Sequence, residues 1–227
     1  MRIFSDILAK DLEIAMTDLE ARIDRLESID AIRQLVSKYA LTLDMRDVDA
    51  HVNLFAEDIR VSREAVGRPA LKVWLDDMMR NQFTGTSHHI GNHIIEFDDP
   101  NHAHGVVYSK NEHETPKGNG EPEWVIMQMM YWDNYERIDG SWYFRRRLPC
   151  YWYAADLNTP PVGENKMRWP EREPYEGAYH ELFPSWEAFW KHPPRDGDAP
   201  EVAAPAPRET FLKTMRGNHP FPKIRVK

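Results

Sequence analysis

A single cysteine, Cys150, occurs in 227 residues, so no internal disulfide can form and a reducing cytoplasm is the natural setting. No apolar run approaches the roughly 20 residues that a membrane-spanning helix requires; a long example, VIMQMMYW over 125–132, is far shorter. An export signal is not expected, because acids interrupt the opening MRIFSDILAKDLE and no small-residue cleavage site follows. Excess positive charge is also absent. Lys+Arg number 29 against Asp+Glu 37, giving a net charge of −8 and a pI near 5.7, so no overall field attracts a polyanion and nucleic acid is not an expected partner. Neither a Gly-rich phosphate cradle nor a nucleophile elbow occurs.

Aromatic residues are abundant, with 8 Trp, 9 Tyr and 9 Phe in a chain whose mean hydropathy is only −0.67. Such side chains bring large packing area with a polar tip, and they suit both cores and pockets for flat apolar ligands. Residues 6–43 contain neither Gly nor Pro. Leu12, Met16, Leu19, Ile23 and Leu26 follow in alternating four- and three-residue steps, then Ile29, Ile32, Val36 and Tyr39, which predicts a long helix. Its first part has a narrow apolar stripe and charged flanks, as in a helix that packs on another subunit. Asp47 caps a second helix over 48–56, and a third is predicted over 70–81.

The period then changes to that of strands, over 87–97, 103–114, 124–138 and 142–154. Asp139-Gly140 is the strongest hairpin signal. Helices followed by a run of antiparallel strands predict an α+β fold, with the helices on one face of a curved sheet and a pocket between them. Three regions are expected: a helical extension over 1–25, a core domain over 26–154 and a Pro-rich extension over 155–227. The last holds 12 of the 17 prolines, which argues against long regular elements. Within it Ser185 can cap a short helix bearing Trp186, Phe189 and Trp190, suited to wrapping over its own or a neighbouring subunit, while 196–208 reads as mobile.

Four segments in order, YALTLDMRD over 39–47, LFAED over 54–58, SHHIGN over 87–92 and YERIDGSW over 135–142, resemble the SnoaL-like, nuclear-transport-factor-2-like family. That group includes scytalone dehydratase, bile-acid 7α-dehydratase and hexachlorocyclohexane dehydrochlorinase. The resemblance covers roughly 26–152 and implies a cone-shaped α+β barrel, a homotrimer and elimination chemistry without a cofactor. It implies an acid/base dyad of Asp44 and His88, with Tyr39 orienting a substrate oxygen or helping a hydroxyl leave. The dehydrochlorinase has a lysine where Tyr39 stands, which favours an oxygenated substrate over an organohalide. Arg147 falls at a pocket arginine of that enzyme, and Asn111 falls where the bile-acid enzyme has an acid. Asn92, Trp132 and Tyr151 complete the expected substrate-contacting set. Diarylpropane lyases of lignin catabolism belong to the same group, so the expected substrate is a small hydrophobic aromatic or polycyclic alcohol.

The residues support parts of this independently. Asp44 near a helix C-terminus faces the negative end of the macrodipole and needs a donor partner, which a histidine supplies; the pair then forms a general base. Strand alternation puts Arg145 and Arg147 on one face and Arg146 on the other. It also allows only His89 with His93, or His102 with His104, to share a face, and no third metal ligand accompanies either pair. A metal is therefore not expected. Two other readings remain open: a ketosteroid-type isomerase, which needs a base and an oxyanion donor but no leaving group, and a non-catalytic scaffold or small subunit on the same fold.

Overall fold

A computed structural model describes residues 2–160, with backbone alone over 2–15, and Phe189. Helix α1 runs from Arg2 to Asp44, α2 from Val48 to Val52 and α3 from Arg68 to Gln82. Four strands follow, β1 Gly85–Asp99, β2 His102–Pro116, β3 Pro122–Ile138 and β4 Ser141–Ala155. They form one antiparallel sheet in the order β1-β2-β3-β4. The fold is thus α+β, with N-terminal helices packed against the sheet in the manner of a cone. Helix α2 is shorter than the sequence predicts, because at Asn53 the chain leaves the helix and Phe55 bridges to Phe144 of β4. The turn between β3 and β4 has Asp139 at φ 49° and Gly140 at φ 80°, the paired positive angles of a type I′ hairpin.

The interior lies between α1 and one face of the sheet. Ile32, Leu35 and Val36 of α1 pack with Val52, Phe55, Ile59 and Leu71, and with Val107, Met129, Tyr131, Tyr135, Trp142 and Phe144 of the strands. Below Ser28 the character of α1 is different: every residue from Met16 to Ile23 is exposed, whereas Ser28, Ile32, Leu35 and Val36 are buried. At its other end α1 stops at Asp44 because Arg46 takes φ 61°. The Arg46 guanidinium donates back to the Leu43 carbonyl at 2.9 Å and across to Thr86 Oγ1 at 2.7 Å, tying the helix end to the start of β1. Asp47 then caps α2 by accepting from the Ala50 N–H at 3.0 Å.

Two of the four register irregularities turn polar side chains inward. Between Ile90 and His93 the β1/β2 register shifts, and between Asn134 and Tyr135 the β3/β4 register shifts, with Arg145 as the extra residue. No helix among the described residues is long and apolar enough to cross a membrane. Ser185, Trp186, Trp190 and the segment 196–208 lie outside the described residues; Phe189 is exposed.

Candidate active site

Asp44 is the last residue of α1, and His88 sits in β1 opposite Asn111 of β2. The His88 ring Nδ1 is 2.7 Å from Asp44 Oδ1, the His88 backbone N–H donates to Oδ2 at 2.9 Å, and the Thr86 hydroxyl donates to Oδ1 at 2.9 Å. With the carboxylate ionised, Nδ1 carries the proton and Nε2 is left as the acceptor. Burial pushes the Asp44 pKa up, but the hydrogen bonds from the His88 ring and backbone and from Thr86 outweigh it, and the carboxyl is held below its ordinary value. The helix-end field opposes the charge, so these donors are what keep it.

Alternation along the sheet continues this inner face. Asn111, opposite His88, is buried and donates Nδ2 to the Tyr131 hydroxyl at 3.1 Å; the Ser109 hydroxyl donates to its Oδ1. Tyr39 lies edge-on to Tyr131 with ring centroids 5.8 Å apart, and its ring is 4.6 Å from that of His51. Burial first, and then the neighbouring Tyr131, drive the Tyr39 phenol far above its usual pKa, so it stays protonated. His51 and His113 are each pushed down to about 3 by burial and are neutral at neutral pH. Tyr151 pairs with Met129 and lies on the same inner face.

Arg147 occupies the far part of this face. Its side chain is 3% exposed, and its guanidinium carbon is 4.0 Å from the Tyr39 ring centroid, 3.9 Å from Tyr131 and 4.7 Å from Phe144. The counter-ion is Asp133 of β3, fully buried, with Oδ1 3.3 Å from Arg147 Nε. That is ion-pair distance without alignment: Nε, Nη1, Nη2 and Oδ1 lack a hydrogen-bond partner. Tyr135 donates its hydroxyl to Asp133 Oδ2 at 2.8 Å, and His93 Nε2 lies 3.1 Å from the same hydroxyl. Because that proton points at Asp133, His93 must donate from Nε2. Burial raises Asp133 to about 6 against the pull of Arg147 and Tyr135, and it lowers His93 to about 4. Gly105 is required here, since a Cβ would lie 2.7 Å from the Ile94 carbonyl oxygen and 3.3 Å from His93 Nε2.

Several expectations are corrected by the two bulges and by strand parity. Asn92 is exposed on the β1 bulge and does not reach the inner face. Trp132 alternates with Tyr131 and Asp133 and therefore lies on the opposite face, packed with Val106, Met130 and Cys150. Arg145 does not share a face with Arg147; as the bulged residue it pairs with Glu136 and Asp58, and Phe144 takes the inward position. His89 does not share a face with His93: the bulge brings His93 onto the face of His88, while His89 is exposed beside Ser87. Among the described residues no group of three or more His, Cys, Asp or Glu has a metal-holding arrangement. Thr86, Arg46, Asp133 and Tyr135 were given no role from the sequence, and His93 was weighed there only as a metal ligand. Thr86 was accessible as the residue two before His88, but Asp133 was not, because an unbroken hairpin from Asp139-Gly140 would set it opposite Arg146 rather than Arg147.

An α+β cone with a carboxylate–histidine pair on its inner face defines the class of protein. The chain belongs to the SnoaL-like domain family, which it matches over residues 24–148. Among solved structures, it is similar to a candidate scytalone dehydratase from Novosphingobium aromaticivorans, at 30% identity and a TM-score of 0.52, over 60% of this chain and 92% of that one. It is also similar in fold to the hexachlorocyclohexane dehydrochlorinase LinA-type3 from Novosphingobium barchaimii LL02, at 22% identity and a TM-score of 0.53, over 60% of this chain and 93% of that one. No curated protein matches the sequence.

Proposed function

We propose that this chain is a cofactor-independent lyase that eliminates water from a hydrophobic hydroxylated substrate, either a lignin-type diarylpropane or a polycyclic alcohol. The observation that carries the reading is the His88–Asp44 pair: Nδ1 is held at 2.7 Å by a carboxylate fixed by three donor groups, which leaves Nε2 as a general base. In the reaction Nε2 takes a proton from carbon, the C–H electron pair becomes the new double bond, and the C–O bond breaks with its pair on oxygen. The departing hydroxide leaves as water, protonated by the Tyr39 phenol or, through His88, by the proton just abstracted. Arg147 lies against the Tyr39 ring and offers positive charge to oxygen during departure. A substrate with a para-phenol beside a benzylic hydroxyl and a hydroxymethyl group offers a second course: the ionised ring expels hydroxide to give a quinone methide, Nε2 takes the hydroxymethyl O–H proton, that O–H pair becomes the C=O of formaldehyde, and the C–C pair becomes the new double bond and restores the phenolate. The similarity to a candidate scytalone dehydratase supports the dehydratase class.

The test is turnover of the purified full chain after exhaustive chelation, without added nucleotide or flavin, on hydroxylated diaryl and polycyclic alcohols, read by product mass. The expected product is lighter by water, or by water plus formaldehyde. An unchanged mass with a shifted double bond would make the protein an isomerase, and no conversion of either substrate class would leave the scaffold reading. Tyr39→Phe separates the two courses: it cripples elimination in which the phenol protonates the leaving group and only weakens a reaction driven by the substrate's own phenol.

A further inference from the structure

Residues 16–23 of α1 lie exposed, ahead of the point where Asp24 and Arg25 meet Arg137 and Phe97 of the sheet. Every residue from Met16 to Ile23 is exposed, and the large apolar side chains there stay in solvent: Met16 55%, Leu19 53%, Ile23 45% and Leu26 67% exposed. A lone helix of this kind gains little from local propensity and depends on burying its apolar stripe. The stripe is a heptad seam. With Met16 and Ile23 at the a positions, Leu19 and Leu26 fall at d, the alternation that keeps one seam facing a partner helix along a supercoil. The next a position is Asp30, and there the helix stops offering a seam outward: Ser28 and Ile32 are buried within the fold, and Asp24 pairs with Arg137 of β3 at 2.8 Å.

We infer that this seam binds the same segment of a second copy of the chain as a parallel, in-register coiled coil. Charge selects both the partner and the direction. Position e carries Glu20 and Glu27, and position g carries Arg22. In a parallel pair, Arg22 of each strand faces Glu27 of the other, giving two attractive contacts, whereas an antiparallel pair sets the e-position glutamates against one another. Arg22 is free to exchange partners, because its ion pair with Asp18 is exposed and 3.9 Å long. Ile23 at a with leucine at d favours two strands. The inference is independent of the Asp44–His88 site.

Light scattering on the full chain at micromolar concentration should give a multiple of the monomer mass, and Leu19→Asp with Ile23→Asp should reduce it. Both positions are exposed, so the sheet core and its near-ultraviolet circular dichroism should be retained. Cysteine placed at Leu19 or at Leu26 should cross-link to the same position of another copy under mild oxidation, which requires parallel register. Arg22→Glu should weaken association by roughly ten-fold at low salt, and adding Glu27→Arg should restore it. A monomeric wild type, an assembly unchanged by the double aspartate variant, or failure of both cysteine variants to cross-link would each overturn the inference.

Discussion

Two carboxylates face the same interior, one at each end of the candidate site, and their surroundings drive them in opposite directions. Asp44 is part-exposed and receives three well-formed hydrogen bonds, so it is held below its ordinary pKa although its only charged-capable neighbour in contact is a histidine. Asp133 is fully buried beside a permanent cation, yet it is raised to about 6. Burial is the main difference: Asp133 is removed from water entirely, and neither Arg147 at 3.3 Å nor the Tyr135 hydroxyl offsets that, whereas three donors offset the partial burial of Asp44. The Asp44 end is built to hold one proton on Nδ1, and the Asp133 end to hold a guanidinium among aromatic rings.

The sharpest way to break the comparison is to remove the base. His88→Ala should lower turnover by ~10²–10⁴-fold with little change in substrate affinity, and Asp44→Asn should be nearly as damaging; retained turnover in His88→Ala, measured on whichever alcohol the wild type converts, would remove the dyad from the chemistry. At the other end the expected loss is of stability. Asp133→Ala leaves the Arg147 charge buried without a counter-ion and should cost about 3–5 kcal/mol in chemical denaturation. The same change at Asp44 should cost less, because Asp44 is nearer solvent.

Gly105→Ala tests how tightly the second end is assembled. The added methyl meets a backbone oxygen and the His93 ring, so a loss of roughly 1–3 kcal/mol is expected, with a shift in tyrosine fluorescence as Tyr135 moves.

In the pH dependence the buried histidines and Asp133 act in opposite directions. His51, His93 and His113 have folded values lowered to about 3 or 4 from 6.5. Below pH 6.5 the unfolded chain therefore binds more protons at these sites, and stability falls as pH drops through that window. Asp133, raised to about 6, works the other way: between pH 6 and its unfolded value the folded state binds the extra proton, so this group adds stability as pH falls. Asp44, being lowered, loses its contribution only below the unfolded carboxylate value. Thermal melts between pH 7 and pH 4 should show a net acid loss, steeper in Asp133→Asn than in the wild type. A wild-type melting temperature that rises on acidification would refute the buried neutral histidines.

Much of the fold was legible because it rests on period and punctuation. The apolar steps of α1, the Asp47 cap of α2, the two-residue alternation of four strands and the Asp139-Gly140 turn are local signals, and each element lies within a few residues of where these signals put it. The contact between Asp44 and His88 was legible only through the resemblance, since nothing in residues 39–47 or 87–92 says by itself that they meet. The left-handed Arg46 that ends α1, and its bond to Thr86, are contacts between segments forty residues apart and leave no local mark.

What the sequence by itself determined is therefore the α+β order, the hairpin, the apolar face of each element and the heptad seam of α1. All of these follow from hydrophobic period and turn chemistry. Tertiary structure alone decided which polar groups look inward. A single extra residue at Arg145 places Arg147 opposite Asp133, and another irregularity near Asn92 turns His93 inward while leaving Asn92 in solvent. Side-chain direction in a strand has period two, so one inserted residue reverses the face of everything beyond it, and whether that residue is inserted is settled by packing across the sheet.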